Sequence, residues 1–193
     1  QPVLAESETR FEGEAVALVV GTTDDIVTLN ISKLPITWQK LADVTTANEA
    51  TDEGAPQLHE GRANNRLTGG YVESGDVQSG FEAADVVVEG AFTTEFIEHA
   101  YIEPEAAFAQ RIGDRIEVWS CTQAPYMDRG SLAEIMNISE DQVRIIPSSV
   151  GGGFGSKLDL SLQPFVAIAA WHLKQPVKMV YSRTESMLST TKR

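Results

Sequence analysis

The sequence predicts an α+β fold in which mixed β-sheets pack against helices, and three patterns lead to this prediction. The strand pattern Ile116–Ser120 follows a Gly113-Asp114 pair, which is typical of a β-hairpin turn. The run Phe165–Trp171 is apolar on every side, which favours a buried helix. A strand at Val143–Pro147, a glycine loop, this helix and a strand at Val177–Tyr181 are spaced for a right-handed parallel crossover.

The first half of the chain contains two further predicted strands and one undecided segment. Phe11–Val20 alternates in charge and then becomes apolar on both faces, which predicts a strand that ends buried before Gly21–Asp25. Ile26–Leu34 fits a strand or an irregular helix. Ala42–Asp76 is poor in apolar residues and lacks a sustained period, so we expect a long surface connection. Asp85–Phe92 predicts another strand.

The second half adds one strand and two helices to these patterns. Ile102–Gln110 reads as a strand interrupted by Pro104. Pro125–Met136 has a helical start and an apolar face, which predicts a helix. The buried helix is expected to run from about Leu160 to Leu173.

Composition restricts the function classes. The 193 residues carry a net charge of −13, which disfavours nonspecific binding to nucleic acid or anionic membranes. The single Cys121 excludes an internal disulfide framework and an iron–sulfur cluster held by this chain alone, and it fits a cytoplasmic setting. No apolar run has transmembrane length. The chain starts at Gln1 without methionine and ends at Arg193 after an apparent helix, so we expect a piece of a longer polypeptide.

The segment Val150–Lys157 places four glycines in five consecutive positions. Such a loop suits positive φ angles or a close approach of backbone amides to an anion such as phosphate. It lacks the glycine before and the hydroxyl residue after Lys157 that a P-loop requires, and Ser156 breaks the dinucleotide fingerprint. A tight turn without a ligand is the alternative. A large apolar residue, Phe154, among the glycines favours a binding site.

Three stretches in this order resemble a known family: Phe96–Pro104 (FIEHAYIEP), Trp119–Pro125 (WSCTQAP) and Val150–Lys157 (VGGGFGSK). Together they resemble the molybdenum-binding large subunit of the xanthine dehydrogenase and aldehyde oxidase family of molybdenum hydroxylases. Arg10–Ala17 is similar to the last strand of that family's hammerhead-like α/β domain. The resemblance implies the end of this domain over residues 1–41, a connecting segment over 42–80, and part of the first molybdopterin-binding domain over 81–193.

The resemblance also implies a function and a set of partners. The family oxidises aldehydes or N-heteroaromatic compounds with water as the oxygen source, at a molybdenum held by a pyranopterin (molybdopterin), which in some members is a cytosine dinucleotide. Electrons then pass to iron–sulfur and FAD centres on other chains or domains. The implied partners are the rest of the large subunit, iron–sulfur and FAD subunits, a small-molecule substrate and a second copy of the complex. We expect the chain alone to be inactive.

Site residues follow from the same resemblance. The chain contributes no direct metal ligand, although Phe154 is expected nearest to the metal, and the family's catalytic glutamate lies outside this sequence. The implied cofactor-binding residues are Gly152, Gly153, Phe154, Gly155, Ile97 and Gln123.

The sequence departs from the family pattern at two positions. Ile97 stands where members often carry a glutamine that donates a hydrogen bond to the metal centre. Leu158 stands where purine-oxidising members often carry a glutamate, which argues against the usual xanthine-binding mode. Ile97 also supports an alternative function, a noncatalytic or degenerate binding and assembly fragment of such a complex. An unrelated phosphate-binding α/β domain is a further alternative.

Other polar residues of the motifs have structural interpretations. Glu98 and Glu103 are expected to fix the local backbone rather than to act as catalytic bases. His99 is expected to be a hydrogen-bonded structural residue, since no second ligand stands at metal-binding spacing. Lys157 is expected to neutralise a phosphate or to pair with an acid, and Gln123 to contact the cofactor or to be a satisfied amide.

Overall fold

The computed structural model describes residues 2–192 and divides the chain into two compact units. One unit comprises residues 2–29 and 95–192, and the other comprises Asn30–Thr94. Gln1 and Arg193, on which the expectation of a longer polypeptide rests, lie outside the described residues. The α+β prediction is confirmed. The domain boundaries at 41/42 and 80/81 stay predictions.

Regular elements concentrate in the second half of the chain. Residues 2–192 contain four strands, which are β1 (Ala106–Ile112), β2 (Arg115–Ser120), β3 (Val143–Pro147) and β4 (Val177–Val180). The α-helices found within residues 2–192 are α1 (Thr23–Thr28), α2 (Ala47–Thr51), α3 (Val77–Ala83), α4 (Pro125–Met136), α5 (Gln163–Leu173) and α6 (Arg183–Ser189). No helix of the described chain combines the length and hydropathy that a bilayer span requires.

The four strands form one mixed sheet in the order β3-β2-β1-β4. The predicted hairpin at Gly113 is confirmed, because β1 pairs antiparallel with β2 and Gly113 has a φ of 63°. β2 and β3 pair parallel and are connected through α4. The predicted crossover from β3 to β4 joins two strands of the same direction, but they lie at opposite edges of the sheet.

The core lies between the sheet and α5, which packs against β1 and β2. Ile116 and Val118 of β2 and Leu132 of α4 are fully buried. Burying each such side chain stabilises the fold by about 1.5–3 kcal/mol. The prediction that α5 is buried is confirmed, and five of its apolar residues have little exposure: Phe165, Val166, Ala167, Ala169 and Ala170.

The element boundaries differ from the predictions near prolines. α5 begins at Gln163 rather than Leu160, with Pro164 in its first turn, where the missing N–H is tolerated. The strand expected from Ile102 begins only at Ala106, after Pro104. The predicted helix Pro125–Met136 matches α4 at both ends.

The predicted strands Phe11–Val20 and Asp85–Phe92 are wrong, because neither segment pairs with a strand within residues 2–192. Val19 and Val20 are 45% and 41% exposed, so the first segment does not end buried. A strand needs neighbouring backbone groups to satisfy its N–H and C=O groups, whatever its side chains favour. The undecided segment forms the end of α1 and a 3₁₀ turn at Ile31–Lys33.

The unit Asn30–Thr94 contains short helices and irregular backbone, with no buried residue in its helical segments. Asn65 organises part of it, since its side chain accepts from the Leu58 amide at 2.8 Å and donates to the Ala50 carbonyl at 2.9 Å. Ala42–Asp76 is mostly exposed and irregular, apart from α2 and a 3₁₀ turn at Ala63–Asn65, and its role as a connecting segment stays a prediction.

Candidate functional site

The glycine loop follows the edge strand β3 and leads into a 3₁₀ turn at Ser156–Leu158. Gly152, Phe154 and Gly155 have φ angles of 100°, 53° and 97°, in the left-handed region. Glycine adopts this region readily, whereas the Phe154 backbone is strained there. The loop conformation therefore depends on the glycines at 152 and 155.

Glu103 holds the first end of the loop. The Gly151 amide donates to Glu103 Oε2 at 2.7 Å, and the Glu103 amide donates to the Gly151 carbonyl at 3.3 Å. Lys157 Nζ lies 2.8 Å from the same Oε2 atom. The motif FIEHAYIEP and the glycine motif, more than forty residues apart in sequence, are thus joined directly.

Gln123 holds the second end of the loop. Its Oε1 atom accepts from the Gly155 amide at 3.2 Å and from the Lys157 amide at 3.3 Å. The Gln123 amide donates to the Lys157 carbonyl at 2.9 Å. Within residues 2–192 the Gln123 Nε2 group makes no hydrogen bond, so it keeps two N–H donors for a ligand.

Three glycines lie too close to neighbouring side chains to carry a side chain of their own. A Cβ atom on Gly151 would lie 2.6 Å from Glu103 Cβ, and one on Gly152 would lie 3.0 Å from Tyr101 Cβ. A Cβ atom on Gly153 would collide with Gln123 Oε1. The loop backbone is therefore pressed against the segments that carry the other two motifs.

The middle of the loop presents unused donors. Among the hydrogen bonds of the described chain, none uses the amides of Gly152, Gly153 or Phe154. Gly153 is buried, whereas the Phe154 side chain is 67% exposed. Three consecutive free N–H groups, in a loop fixed at both ends, suit the oxygen atoms of an anionic ligand.

The Glu103 carboxylate and the Lys157 ammonium beside the loop carry opposite charges. Partial burial disfavours the ionised carboxylate, but the hydrogen bonds from Lys157 and Gly151 outweigh it and lower the pKa of Glu103. Ionised Glu103 therefore pairs with the ammonium group of Lys157, a residue that is only 3% exposed. Because the pair is neutral overall, Glu103 does not repel an anion at the loop.

Of the expectations for the remaining motif residues, the structure confirms one and contradicts another. Glu98 accepts from the Ala100 amide at 3.2 Å and pairs with Lys192 at 2.8 Å, so the expectation that Glu98 and Glu103 fix backbone is confirmed. His99 Nδ1 is buried without a hydrogen bond in the described structure, so the expected hydrogen-bonded histidine is wrong at that atom. Ile97 is 55% exposed and has no polar atom in its side chain.

Sequence reasoning missed one contributor to the site, Tyr101. The Lys157 Nζ atom lies 4.6 Å from the centre of the Tyr101 ring, and the Tyr101 hydroxyl donates to buried Glu105. The signal available in the sequence was an aromatic residue two positions before Glu103, within the motif itself.

Other features of the described chain lie apart from the glycines. A groove of about 800 Å³ is lined by residues such as Phe11, Pro164 and Met187, and it reaches Ser156 but none of the loop glycines. No group of three or more His, Cys, Asp or Glu residues within 2–192 is arranged to hold a metal ion.

The family model for the molybdopterin cofactor-binding domain matches residues 58–193, which include all three motifs. The chain belongs to the molybdopterin cofactor-binding domain family. The large molybdopterin subunit of nicotinate dehydrogenase from Eubacterium barkeri is 36% identical over 194 residues, covering all of this chain and 45% of that subunit. The molybdenum-binding subunit of xanthine dehydrogenase from Escherichia coli O157:H7 is 34% identical over 192 residues, covering 98% of this chain and 25% of that subunit.

A solved structure supports the same family. Quinoline 2-oxidoreductase from Pseudomonas putida 86 is 28% identical, with a TM-score of 0.82 over all of this chain and 25% of that chain. The predicted resemblance to molybdenum hydroxylases is therefore confirmed. The present chain spans less than half the length of these curated relatives.

Proposed function

We propose that this chain is part of a molybdenum hydroxylase that oxidises an N-heteroaromatic compound or an aldehyde, with water as the source of oxygen. The observation that carries the proposal is the run of three unused amides at Gly152–Phe154, held at both ends by residues of the other two family motifs. The three relatives described above are named for N-heteroaromatic compounds, nicotinate, xanthine and quinoline, which favours that substrate class.

The residues of the loop fit the proposed cofactor. A pyranopterin phosphate and the oxygen atoms of a molybdenum centre need hydrogen-bond donors, and the loop offers backbone donors without a net charge. Gly152, Gly153 and Phe154 would hold the group through their free amides, with Gln123 Nε2 as an additional donor. Gly155, whose amide is bonded to Gln123 Oε1, would only line the site. When bound, molybdenum supplies the two-electron redox chemistry. The loop would orient the group, and the exposed Phe154 ring would pack beside it and exclude water.

The proposed partners follow from the same assignment. The acid–base glutamate, the remaining walls of the pocket and the iron–sulfur and FAD centres would come from other parts of the complex. The cytosine dinucleotide form of the cofactor, a cytoplasmic location and a dimeric complex are further parts of this proposal. Alone, the chain is expected to bind molybdenum weakly, because it supplies only one part of the cofactor envelope.

Ile97 favours a second candidate, a noncatalytic assembly fragment whose cofactor site has lapsed. An isoleucine side chain cannot donate the hydrogen bond that the family's glutamine provides there. The test of both candidates is molybdenum and pterin analysis of the purified native complex. Near one molybdenum per copy of this chain supports the hydroxylase, and its absence supports the noncatalytic fragment.

The residue that follows the glycine loop, Leu158, allows a test of the substrate class. Leu158 is 44% exposed and offers apolar contact only. Losing one charged hydrogen bond to a substrate weakens binding by about 1.5–3 kcal/mol, or roughly tenfold to a hundredfold in kcat/KM. We therefore expect the complex to prefer nicotinate-like heteroaromatics or aldehydes to xanthine, and Leu158→Glu to raise kcat/KM for xanthine.

The measurement is a substrate panel on the native complex and two variants. Leu173→Glu is the matched control, since Leu173 is 52% exposed at the end of α5. A native complex that oxidises xanthine best, without improvement in Leu158→Glu, would contradict the inference from this position.

A further inference from the structure

Lys157 is a charged residue with almost no exposure, and the contacts of its ammonium group are directed inward. Its Nζ atom donates to the Glu103 carboxylate at 2.8 Å and to the Glu103 carbonyl at 3.0 Å. The Tyr101 ring covers it at 4.6 Å. A buried ammonium is unfavourable unless it is paired and hydrogen-bonded, and these contacts meet that requirement. Of the two expectations for Lys157, pairing with an acid is confirmed, and the ammonium is not free for a phosphate.

One oxygen atom of the Glu103 carboxylate accepts two hydrogen bonds. Oε2 accepts from Lys157 Nζ and from the Gly151 amide, at 2.8 and 2.7 Å. Glu103 and Gly151 are also joined through their backbones, by the Glu103 amide and the Gly151 carbonyl. Rotation of the carboxylate would break two charge-assisted hydrogen bonds at once, so Glu103 fixes the direction of the Gly151 peptide.

We propose that Glu103 and Lys157 are positioning residues, which set the orientation of the amides at Gly152–Phe154 toward the molybdenum cofactor. This inference rests on the proposed function. Gly152 follows Gly151 directly, and a displaced Gly151 peptide would turn the next amide with it. The pair therefore acts on the cofactor through the backbone and makes no contact with it.

A charge partner that served only the stability of the fold would act differently. It would change the melting temperature of the domain and leave the cofactor environment alone. The chain offers a matched control, the ion pair of Glu117 and Arg144 at 3.1 Å, which joins β2 to β3 away from the loop.

The experiment compares Glu103→Gln, Lys157→Met and the control Glu117→Gln in the native complex. Glu103→Gln keeps an oxygen acceptor and is expected to fold even where Lys157→Met fails. The first readout is hydrogen exchange at the amides of Gly151, Gly155 and Lys157. The second is the electron paramagnetic resonance spectrum of bound molybdenum, at known molybdenum content.

For Glu103→Gln we expect exchange at the Gly151 amide to accelerate about tenfold, with unchanged protection in β1 and β2. The molybdenum spectrum should shift, and Glu117→Gln should match the native protein in both readouts. Exchange at Gly151 that stays native, or a native spectrum despite faster exchange, overturns the proposal. Absence of molybdenum from the unmodified complex would instead refute the proposed function, while the exchange measurement would still report on the loop.

Discussion

The two ends of the glycine loop are held by different chemistry. At the Gly151 end, a carboxylate and a buried ammonium carry the contacts, with distances of 2.7 and 2.8 Å at one oxygen. At the Gly155 end, the neutral amide of Gln123 accepts two weaker hydrogen bonds at 3.2 and 3.3 Å. Charged hydrogen bonds are stronger than neutral ones, and they depend on protonation.

The two ends of the loop differ in the strength of their hydrogen bonds and in their response to pH. The charged end is predicted to carry more of the loop's stability and to weaken in acid. The neutral end is insensitive to pH, and Gly153 there has no space for a Cβ atom unless the Gln123 side chain moves. Substitutions can therefore test the two ends separately.

The largest effect is expected from Gly153→Val, at the neutral end. The valine side chain would displace Gln123 and with it both hydrogen bonds to Gly155 and Lys157. Molybdenum occupancy and turnover of the complex should be abolished while the subunit still folds. Elemental analysis and circular dichroism of the purified complex provide the measurement.

The control for this prediction is Gly155→Ala, because Gly155 has open space around its Cα atom but a φ of 97°. Alanine there costs about 1 kcal/mol of backbone strain and should leave most of the molybdenum bound. Normal turnover in Gly153→Val would show that the close contact with Gln123 is irrelevant to the site.

An intermediate effect is expected at the charged end when the pH falls. The folded-state pKa of Glu103 is lowered, so its contribution to stability is complete above the unfolded pKa of about 4.3 and is lost as pH falls through the folded value. At neutral pH, Glu103→Gln should cost about 1–2 kcal/mol.

Urea unfolding of the complex between pH 3 and pH 7 checks this prediction. The difference in unfolding free energy between native protein and Glu103→Gln should shrink below about pH 4.3. A difference that stays constant across this range would mean that ionised Glu103 does not stabilise the loop.

The smallest effect is expected from Gln123→Ala, at about 1 kcal/mol, since two neutral hydrogen bonds to a partly exposed side chain are lost. This loss should be the same at every pH, in contrast to Glu103→Gln. Gln142→Ala serves as the control, because the half-buried Gln142 side chain donates to the Asp114 carbonyl at 2.8 Å and accepts from the Ser139 amide at 3.2 Å, away from the loop. A pH-dependent loss in Gln123→Ala would contradict the division into a charged and a neutral end.

Prediction from the sequence succeeded where the chain contains its own partners. β1 and β2 pair with each other, and α4 packs against β3 and α5, all within residues 95–192, so hairpin, strand and helix-start patterns sufficed to find them. It failed at Asp85–Phe92, whose β-branched residues favour a strand but find no partner strand among the described residues. Local propensity reports what a segment can form, whereas hydrogen-bond partners decide what it does form.

The residues of the candidate site could be predicted from the sequence, but the contacts between them could not. The motifs identified Glu103, Gln123 and the glycines, and the family match agrees with them. Their contacts depend on how strands β1 and β2 bring distant segments together, which no spacing in the sequence expresses. Pairing of Lys157 with an acid was one of two expectations, and the contacts of its ammonium group with Glu103 and Tyr101 confirm it.

The clamping of the loop at both ends has a consequence for the timing of entropy loss. Ordering glycine backbone is entropically expensive, because a free glycine samples more conformations than any other residue. Here Glu103 and Gln123 impose that order through the protein's own hydrogen bonds, so the loss occurs when the chain folds. A ligand that docks on Gly152–Phe154 then meets a prepared surface, and more of its contact energy remains as affinity.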